Sequence, residues 1–316
     1  MTNIPIVFSF NHWILKESGV SISSLLRHAK PTTFYNINVL HGSDDLNASH
    51  KATILKLIEE YKNCTISFVE IDSNVFNNVH IARGVPKVTY YRFFIPHLFP
   101  QFDKIIFSDP DIIYRGDLSD VFENTDLTTN YLAAVKSAFV KKKYIYSIGC
   151  DPLTYTNGGF QIYNLKAFRE NDIESKQIAM INDAYFYLDQ DITNIICKDK
   201  ITFLSPQYNA TQSFFKHAMN ESHSKRIRTL FSDQEISEGL FPIVHHFNGI
   251  KPWNGMCYKH DVYWEEYRNS QFFDPAIYYN HYIKLMNPAP RLLLSDLPKS
   301  ILKKFIGKFK DKYIDQ

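Results

Sequence analysis

Apolar residues in the first two thirds of the chain follow two spacings that alternate along it. Short apolar runs, typical of buried strands, are separated by longer segments in which apolar positions recur every three or four residues, as on one face of a helix. This order favours a mostly parallel sheet covered by helices, with ligands bound at the carboxyl ends of the strands. Strands are predicted at residues 5–10, 37–40, 64–71 and 104–108, and helices at residues 15–29 and 46–62.

No repeat or low-complexity linker interrupts the chain, and its composition changes only beyond residue 298, where lysines accumulate. We expect an α/β fold with one Rossmann-like domain over residues 1–265, in which helices flank a mostly parallel mixed sheet, and a helical C-terminal extension over residues 266–316. No apolar run reaches the roughly 18 residues of a transmembrane helix, and the start lacks a signal-peptide pattern. The expected location is therefore the cytoplasm.

Composition and charge narrow the kinds of site that the chain is expected to hold. The formal net charge of +2 gives no argument for nucleic-acid binding. The four cysteines are scattered without a C-x-x-C pair, which predicts neither a zinc site nor a disulfide framework. Four Asn-x-Ser/Thr triplets are interpreted as chance in an asparagine-rich chain, at Asn47, Asn63, Asn209 and Asn220.

Two carboxylates follow the apolar run of residues 105–107, at Asp109 and Asp111 on either side of Pro110. At the end of a strand both can turn toward one cation. Oxygen ligands of this kind suit Mg²⁺ and Mn²⁺, and a diphosphate can complete the coordination shell. Because many solvated surface loops carry the same Asp-x-Asp pattern, this pair alone does not establish a metal site.

A second polar segment spans residues 246–253, with the sequence HFNGIKPW. His246 offers a nitrogen ligand for a metal ion, Gly249 lets the backbone approach a phosphate closely, and Lys251 supplies a positive charge. A structural turn closed by a packed Trp253 explains the segment equally well. His245 stands next to His246, and the residues alone do not decide between the two histidines.

Two further segments place polar side chains at the start of a strand and of a helix. They are residues 157–165, with the sequence NGGFQIYNL, and residues 189–194, with the sequence DQDITN. These side chains are candidates for hydrogen bonds to sugar hydroxyl groups. Helix capping, for which Asp and Asn are well suited, is the alternative interpretation.

Together with Thr-Tyr-Tyr-Arg at residues 89–92, these four segments resemble family 8 of the retaining glycosyltransferases in order and spacing over residues 5–265. That family includes glycogenin and the galactosyl- and glucosyltransferases that build bacterial lipopolysaccharide. The resemblance implies a GT-A-type fold. It also implies transfer of galactose or glucose from a UDP-sugar to a hydroxyl of a glycan or glycolipid acceptor, in bacterial surface polysaccharide synthesis.

The resemblance also implies three groups of site residues. Mn²⁺, with Mg²⁺ as the alternative, would be held by Asp109, Asp111 and His246. The UDP-hexose would be bound by Ser9, Asn11, Trp13, Asp109, Asn157, Gly158, Gly249 and Lys251. The candidate catalytic residues beside the donor hexose would be Arg92, Asp189 and Gln190.

Two positions depart from the family pattern in the region that would bind uridine. Asn11 stands where the family usually has an acidic residue for the uracil N3 hydrogen, although its side-chain carbonyl can still accept that bond. Ile14 stands where the family has a stacking tyrosine. Trp13 is then either a replacement that stacks on the base or a residue of the core.

The implied mechanism has the metal ion and Lys251 stabilise the charge that grows on the leaving UDP. Retention by double displacement would need a nucleophile, and Gln190 is a poor one. We therefore prefer a front-face reaction in which the leaving phosphate deprotonates the acceptor, with Asp189 and Asp191 left open as alternatives. Two other functions compete: a haloacid-dehalogenase-type phosphatase, whose first Asp attacks a phosphate, and a catalytically inactive sugar-nucleotide binder.

The end of the C-terminal extension carries its own pattern beyond Pro298. Six lysines and two aspartates surround apolar residues at helical spacing, namely Ile301, Leu302, Phe305, Ile306 and Phe309. A basic amphipathic helix of this kind is expected to contact the anionic inner face of a membrane. Packing of the same helix against the catalytic domain is the alternative.

Overall fold

Two sheets form the centre of the computed structural model, which describes residues 1–76, 81, 85–181, 185–220 and 224–286. Their strands are β1 Thr2–Ser9, β2 Thr33–Gly42, β3 Cys64–Ile71, β4 Lys104–Ser108, β5 Ile112–Tyr114, β6 Leu132–Lys136, β7 Thr156–Asn164, β8 Ile201–Phe203, β9 Ala210–Thr211 and β10 Val244–His246. The larger sheet has the order β3-β2-β1-β4-β7-β6-β8, and the smaller has the order β5-β10-β9. Each strand predicted from the apolar runs overlaps one of these strands.

Most neighbours in the larger sheet are parallel, which confirms the predicted mixed α/β fold. Strand β1 pairs in parallel with β2 and β4, β2 with β3, and β6 with β8. Strand β7 is antiparallel to both of its neighbours, β4 and β6. The carboxyl ends of β1 and β4 therefore share one edge with the amino end of β7.

Alternate side chains of each strand point to opposite faces of the larger sheet. Both of these faces are buried. On β1, Ile6 and Phe8 belong to one hydrophobic cluster, which also contains Ile22 and Leu25 of the first helix. Val7, between them, belongs to a second cluster on the other face. This burial on both sides explains why the strands appear in the sequence as uninterrupted apolar runs.

Most helices lie between strands in the chain, and the last two in the described residues follow β10. They are α1 Leu15–Arg27, α2 Ala48–Leu55, α3 Leu57–Glu60, α4 Ile95–Leu98, α5 Ser119–Asn124, α6 Lys142–Ser147, α7 Leu165–Glu170, α8 Ile173–Ala179, α9 Asp189–Ile196, α10 Gln212–Ala218, α11 Ser224–Ile227, α12 Asp233–Leu240, α13 His260–Arg268 and α14 Pro275–Met286. The single helix predicted over 46–62 is instead two helices, separated at Lys56. That residue has φ −58° and ψ −22°, values typical of a tighter 3-10 turn.

Two compact units make up the chain, residues 1–273 and residues from 274 onward. The described part of the second unit includes α14. Among the residues that the structure describes, no helix is both long enough and apolar enough to cross a membrane. The predicted amphipathic helix beyond Pro298 lies outside the described residues, and the boundary at 265/266 stays a prediction.

Candidate active site

Three side chains that could hold a metal ion, here called the metal-ligand cluster, meet at the edge where β4, β5 and β10 end or begin. Asp109 follows β4, Asp111 precedes β5, and His246 ends β10, directly opposite Ile112 in the antiparallel pair. One ligand atom of each side chain lies within 4.8 Å of the others. The Nε2 atom of His246 is 3.3 Å from Asp111 Oδ1 and 3.7 Å from Asp109 Oδ2. This arrangement matches the oxygen and nitrogen ligands that Mn²⁺ accepts.

The orientation of His246 is set by a residue that the sequence did not indicate. The Nδ1 atom of His246 lies 2.9 Å from Oδ1 of the buried Asn209, which in turn donates from Nδ2 to Asn157 Oδ1 at 2.9 Å. Because an amide oxygen only accepts, Nδ1 carries a proton, and Nε2 is the ring nitrogen that faces the two carboxylates. The sequence offered only an Asn-x-Thr triplet at Asn209, which gave no signal of this role.

His245 lies apart from the metal ligands. Its ring stacks against Phe247 at 4.3 Å and tilts against Phe215 at 4.9 Å between ring centroids. Burial lowers the pKa of His245 to about 3, so the ring stays neutral. Alternation along β10 therefore places His246 at the site and His245 in the core.

A glycine leaves room for the metal-ligand cluster. A Cβ atom built on Gly159 would overlap the ring of His246 and lie 3.0 Å from Asp109 Oδ2. The carbonyl of Gly159 also accepts the backbone N–H of Asp109 at 2.7 Å. Gly159, the second glycine of the N-G-G segment, is thus a site residue that the sequence analysis did not select, whereas Gly158 stays a prediction for donor binding.

Arg92 connects the metal-ligand cluster with the start of α9. Its buried guanidinium donates to Asp109 Oδ1 and to the Gly158 carbonyl, both at 2.7 Å, and pairs with Asp189 Oδ2 at 2.9 Å. It also lies over the ring of Phe107, 3.9 Å from the centroid. Arg92, Asp109 and Asp189 are therefore held in one charged group at the strand edge.

The pKa shifts of the buried Asp189 and the half-buried Asp111 have opposite directions. Burial raises the pKa of Asp189 to about 6, although Arg92 opposes the shift. Burial would also raise the pKa of Asp111, but the adjacent His246 and Lys251 outweigh it and hold that pKa well below its ordinary value. Asp111 is therefore ionised at neutral pH, as a metal ligand must be.

Lys251 and Gly249 lie beside the same cluster. The Nζ atom of Lys251 bonds to Asp111 Oδ2 and donates to the Phe247 carbonyl at 2.9 Å. Gly249 has φ +96°, a left-handed conformation that glycine adopts without strain. The turn therefore brings an ammonium group to the cluster, and the phosphate contact of Lys251 stays a prediction.

The N-G-G strand and α9 meet through Gln190. Its Oε1 atom accepts from Asn157 Nδ2 and from the Gly158 backbone N–H, both at 3.0 Å. Asn157, Gly158, Asp189 and Gln190 thus lie together, adjoining the metal ligands through Arg92. The structure brings these predicted site residues into one group.

The three residues predicted for uridine lie at the end of β1, with different surroundings. Ser9 donates its hydroxyl to the Val88 carbonyl at 3.0 Å, and Asn11 accepts the Trp13 backbone N–H at 3.1 Å. Asn11 lines a cavity of about 340 Å³, and Trp13 is not among the residues that line it. Trp13 is 79% exposed, so its interpretation as a core residue is wrong.

Asp45 is a further residue of this cavity that the sequence did not indicate. Its Oδ2 atom accepts from the Gly42 backbone N–H at 2.6 Å and from the Tyr91 hydroxyl at 3.1 Å. An exposed-looking Ser-Asp-Asp segment after β2 gave no reason to select it. The cavity therefore holds a fixed carboxylate near Asn11.

Comparison with known proteins identifies the family of the chain. The model of glycosyl transferase family 8 matches residues 5–257. Glycosyltransferase GlyE of Streptococcus pneumoniae is 27% identical over 274 residues, 84% of this chain, and the chain spans 61% of that protein's length. The lipopolysaccharide 1,3-galactosyltransferase of Salmonella typhimurium is 24% identical over 279 residues, which are 85% of this chain and 76% of that protein.

A solved structure shares the fold. The galactosyltransferase LgtC, crystallised with donor and acceptor sugar analogues, superposes with a TM-score of 0.70 at 22% identity. The match covers 88% of this chain and 100% of that one. At this identity the likeness establishes the GT-A-type architecture.

Proposed function

Because the chain belongs to glycosyl transferase family 8, we propose that it transfers a hexose, galactose or glucose, from a UDP-sugar to a hydroxyl group of a glycan or glycolipid, with retention at the anomeric carbon. The observation that carries this proposal is the convergence of Asp109, Asp111 and His246 beside the ion-paired Arg92 and Asp189. Candidate ligands for a divalent cation, next to charged side chains, are what a nucleotide-sugar donor requires.

Asp109, Asp111 and His246 would hold Mn²⁺, or Mg²⁺ in its place. The chemistry of the donor set supports this, since two carboxylates and one imidazole nitrogen face each other and Asn209 keeps the Nε2 lone pair available. Gly159 leaves the space free of a side chain. When bound, the cation supplies positive charge to the diphosphate leaving group.

The chain's own residues would bind the donor around that ion. Lys251 adds a positive charge at Asp111, and the turn at Gly249 presents backbone to the diphosphate. Asn157 and Gly158 would border the hexose. Their hydrogen bonds to Gln190 order this wall of the pocket before any substrate enters.

At the nucleotide end we assign Ser9, Asn11 and Trp13 to uridine. Asn11 Oδ1 accepts one backbone N–H and keeps a second lone pair for the uracil N3 hydrogen. The exposed indole of Trp13 is free to stack on a base or a ribose. These three residues adjoin the end of β1, as the fold requires for a nucleotide.

Retention is best explained by a front-face reaction. Gln190 carries an amide, which is a weak nucleophile, and its Oε1 atom already accepts two hydrogen bonds. Asp189 is paired with Arg92 at 2.9 Å, and Asp191 is fully buried. The leaving phosphate would then take the proton of the acceptor hydroxyl, while Asp189 and Gln190 orient the hexose.

A saccharide of the bacterial surface is the proposed acceptor, supported by the relation to the Salmonella lipopolysaccharide galactosyltransferase. We place the reaction in the cytoplasm, at the inner face of the membrane. The lysine-rich residues beyond 298 would make that contact.

The deciding experiment incubates the chain with UDP-glucose or UDP-galactose, with Mn²⁺ or with a chelator, and follows UDP release and sugar transfer by mass spectrometry. The expected result is metal-dependent UDP release with one of these donors. An aspartyl-phosphate at Asp109 would instead indicate the phosphatase, and UDP binding without turnover the inactive binder. The family match over residues 5–257 gives neither alternative support.

A further inference from the structure

We infer that Asp191 and Tyr155 are positioning residues, which fix the orientation of the Gln190 amide through a chain of hydrogen bonds. This inference rests on the proposed function, since it concerns the wall that would border the donor hexose. It assigns a role to the second aspartate of the D-Q-D segment, which the metal site and the nucleotide pocket leave unexplained.

The carboxylate of Asp191 is an anchor buried inside the fold. The residue is 0% exposed. Its Oδ1 atom accepts from the Tyr155 hydroxyl at 2.5 Å, and its Oδ2 atom accepts from the Tyr144 hydroxyl at 2.6 Å and the Tyr187 backbone N–H at 2.7 Å. Three donors therefore compensate the buried charge, as such a charge requires. A group enclosed in this way cannot approach the anomeric carbon of a substrate.

The direction of each hydrogen bond follows from what each atom can do. An ionised carboxylate only accepts, so the Tyr155 hydroxyl must donate to Asp191. Burial, followed by the nearby charge of Asp191, raises the pKa of Tyr155 far above its ordinary value and keeps that proton in place. The Tyr155 oxygen is then left to accept, and Gln190 Nε2 lies 3.1 Å from it.

The other end of the amide gives the same orientation independently. The backbone N–H of Gly158 only donates, and it lies 3.0 Å from Gln190 Oε1. An amide turned by 180° would place two donors against each other at Gly158 and two acceptors without a proton at Tyr155. Asp191 at one end and the N-G-G strand at the other therefore admit one orientation of Gln190.

Helix geometry explains why Asp189 and Asp191 point in different directions although they are only two residues apart. Residues two apart on a helix lie on nearly opposite sides. At the start of α9, Asp189 points to Arg92 and Asp191 points into the interior. Gln190 lies between them and spans the distance from Tyr155 to the N-G-G strand.

The test compares Tyr155→Phe with Tyr144→Phe. Each variant removes one hydroxyl group from the same buried carboxylate, and each hydroxyl also accepts one hydrogen bond. The Tyr155 hydroxyl accepts from Gln190, whereas the Tyr144 hydroxyl accepts the Phe186 backbone N–H at 2.8 Å. We expect similar falls in melting temperature for both. Tyr155→Phe should lower kcat for metal-dependent UDP release roughly tenfold, the scale of one hydrogen bond. Its KM for the UDP-hexose and its calorimetric affinity for UDP should stay at parental values, whereas Tyr144→Phe should keep kcat within about twofold.

A second comparison separates positioning from general stability. In a Gln190→Ala background, Tyr155→Phe should lower kcat no further, because its target is gone. Equal losses of kcat in the two tyrosine variants would refute this chain of hydrogen bonds. So would a Tyr155→Phe variant that lowered kcat as much in the Gln190→Ala background as in the parental chain. Either result would leave the proposed function intact. A parental chain that releases no UDP from either hexose donor would overturn both.

Discussion

His246 and Asn209 form a buried pair, in which imidazole Nδ1 and amide Oδ1 are 2.9 Å apart. Only 3% of His246 and 1% of Asn209 is exposed, so water is a poor substitute for either partner. The pair fixes which atom faces Asn209 and the plane of the ring, and it leaves Nε2, the proposed ligand atom, next to Asp109 and Asp111. Metal affinity should therefore depend on Asn209 although it is not itself a ligand.

Asn209→Ala is expected to weaken Mn²⁺ binding about 10- to 100-fold, the usual cost of losing the partner of a ligating histidine. Calorimetry with Mn²⁺ in the presence of UDP measures this directly. Asn130→Ala is the control, since Asn130 is bonded to Thr202 at 2.8 Å, away from the metal ligands. Unchanged Mn²⁺ affinity in the Asn209 variant would show that the histidine is oriented by other contacts.

The two neighbouring histidines should separate stability from metal binding. His246→Ala removes a ligand and should abolish measurable Mn²⁺ binding. His245→Ala removes a ring packed between Phe215 and Phe247, and should cost about 2–4 kcal/mol of unfolding free energy through the cavity it leaves. Denaturant unfolding and calorimetry on both variants test the pair. A loss of Mn²⁺ affinity of the same size in both would contradict the assignment.

Acid should destabilise the fold partly through Glu266. Its side chain is 1% exposed and pairs with Arg27, with His28 at 3.0 Å and with Arg115 at 2.8 Å. Burial opposes its ionisation, but His28 and Arg27 outweigh burial and lower its pKa. Because the unfolded chain then binds the proton more tightly, Glu266 contributes stability above the unfolded pKa of about 4.3, and this contribution is lost as pH falls through the folded pKa.

Glu266→Gln should accordingly lower the melting temperature at pH 7 and flatten its decline between pH 6 and about pH 3. Glu265→Gln is the matched control, because Glu265 bonds to the same Arg115 at 2.9 Å but its side chain is 45% exposed. Melting temperatures of both variants and the parental chain, measured across that pH range, test this prediction. If the two variants and the parental chain lost stability in parallel on acidification, Glu266 would not be the group responsible.

Much of the fold could be predicted from the sequence because its signals are local. An apolar run such as residues 104–108 has to be buried on both faces, and this holds wherever the strand finally lies. The apolar pattern was less informative where the end of a helix or the exposure of a side chain depended on packing. The helix over 46–62 divides at Lys56, although lysine is a good helix former, and Trp13 lies in solvent, although its side chain is largely apolar.

The predicted site residues came from a resemblance of motifs, whereas the residues that hold them in place came only from the structure. Asn209 meets His246 across 37 positions of sequence, and Tyr155 meets Asp191 across 36. No periodicity or spacing connects such partners, because their contact depends on how β7, α9 and β10 pack. Motifs therefore identify groups that are expected to touch a substrate. They do not identify the buried side chains that hydrogen-bond to those groups.

Gly159 offers the sharpest test of how tightly the metal-ligand cluster is packed. A Cβ atom there would overlap the His246 ring and approach Asp109 Oδ2 to 3.0 Å, so Gly159→Ala must displace at least one ligand. We expect Mn²⁺ affinity and metal-dependent turnover to fall at least tenfold, since ligand geometry is felt at the scale of a few tenths of an ångström. Gly255→Ala is the control, because its Cβ atom would find its nearest neighbour at 3.9 Å. Calorimetry with Mn²⁺ and UDP, run beside thermal unfolding, separates a displaced ligand from a damaged fold. A Gly159→Ala chain that bound Mn²⁺ with parental affinity would mean that the ion sits away from His246, and the proposed ligand set would have to be abandoned.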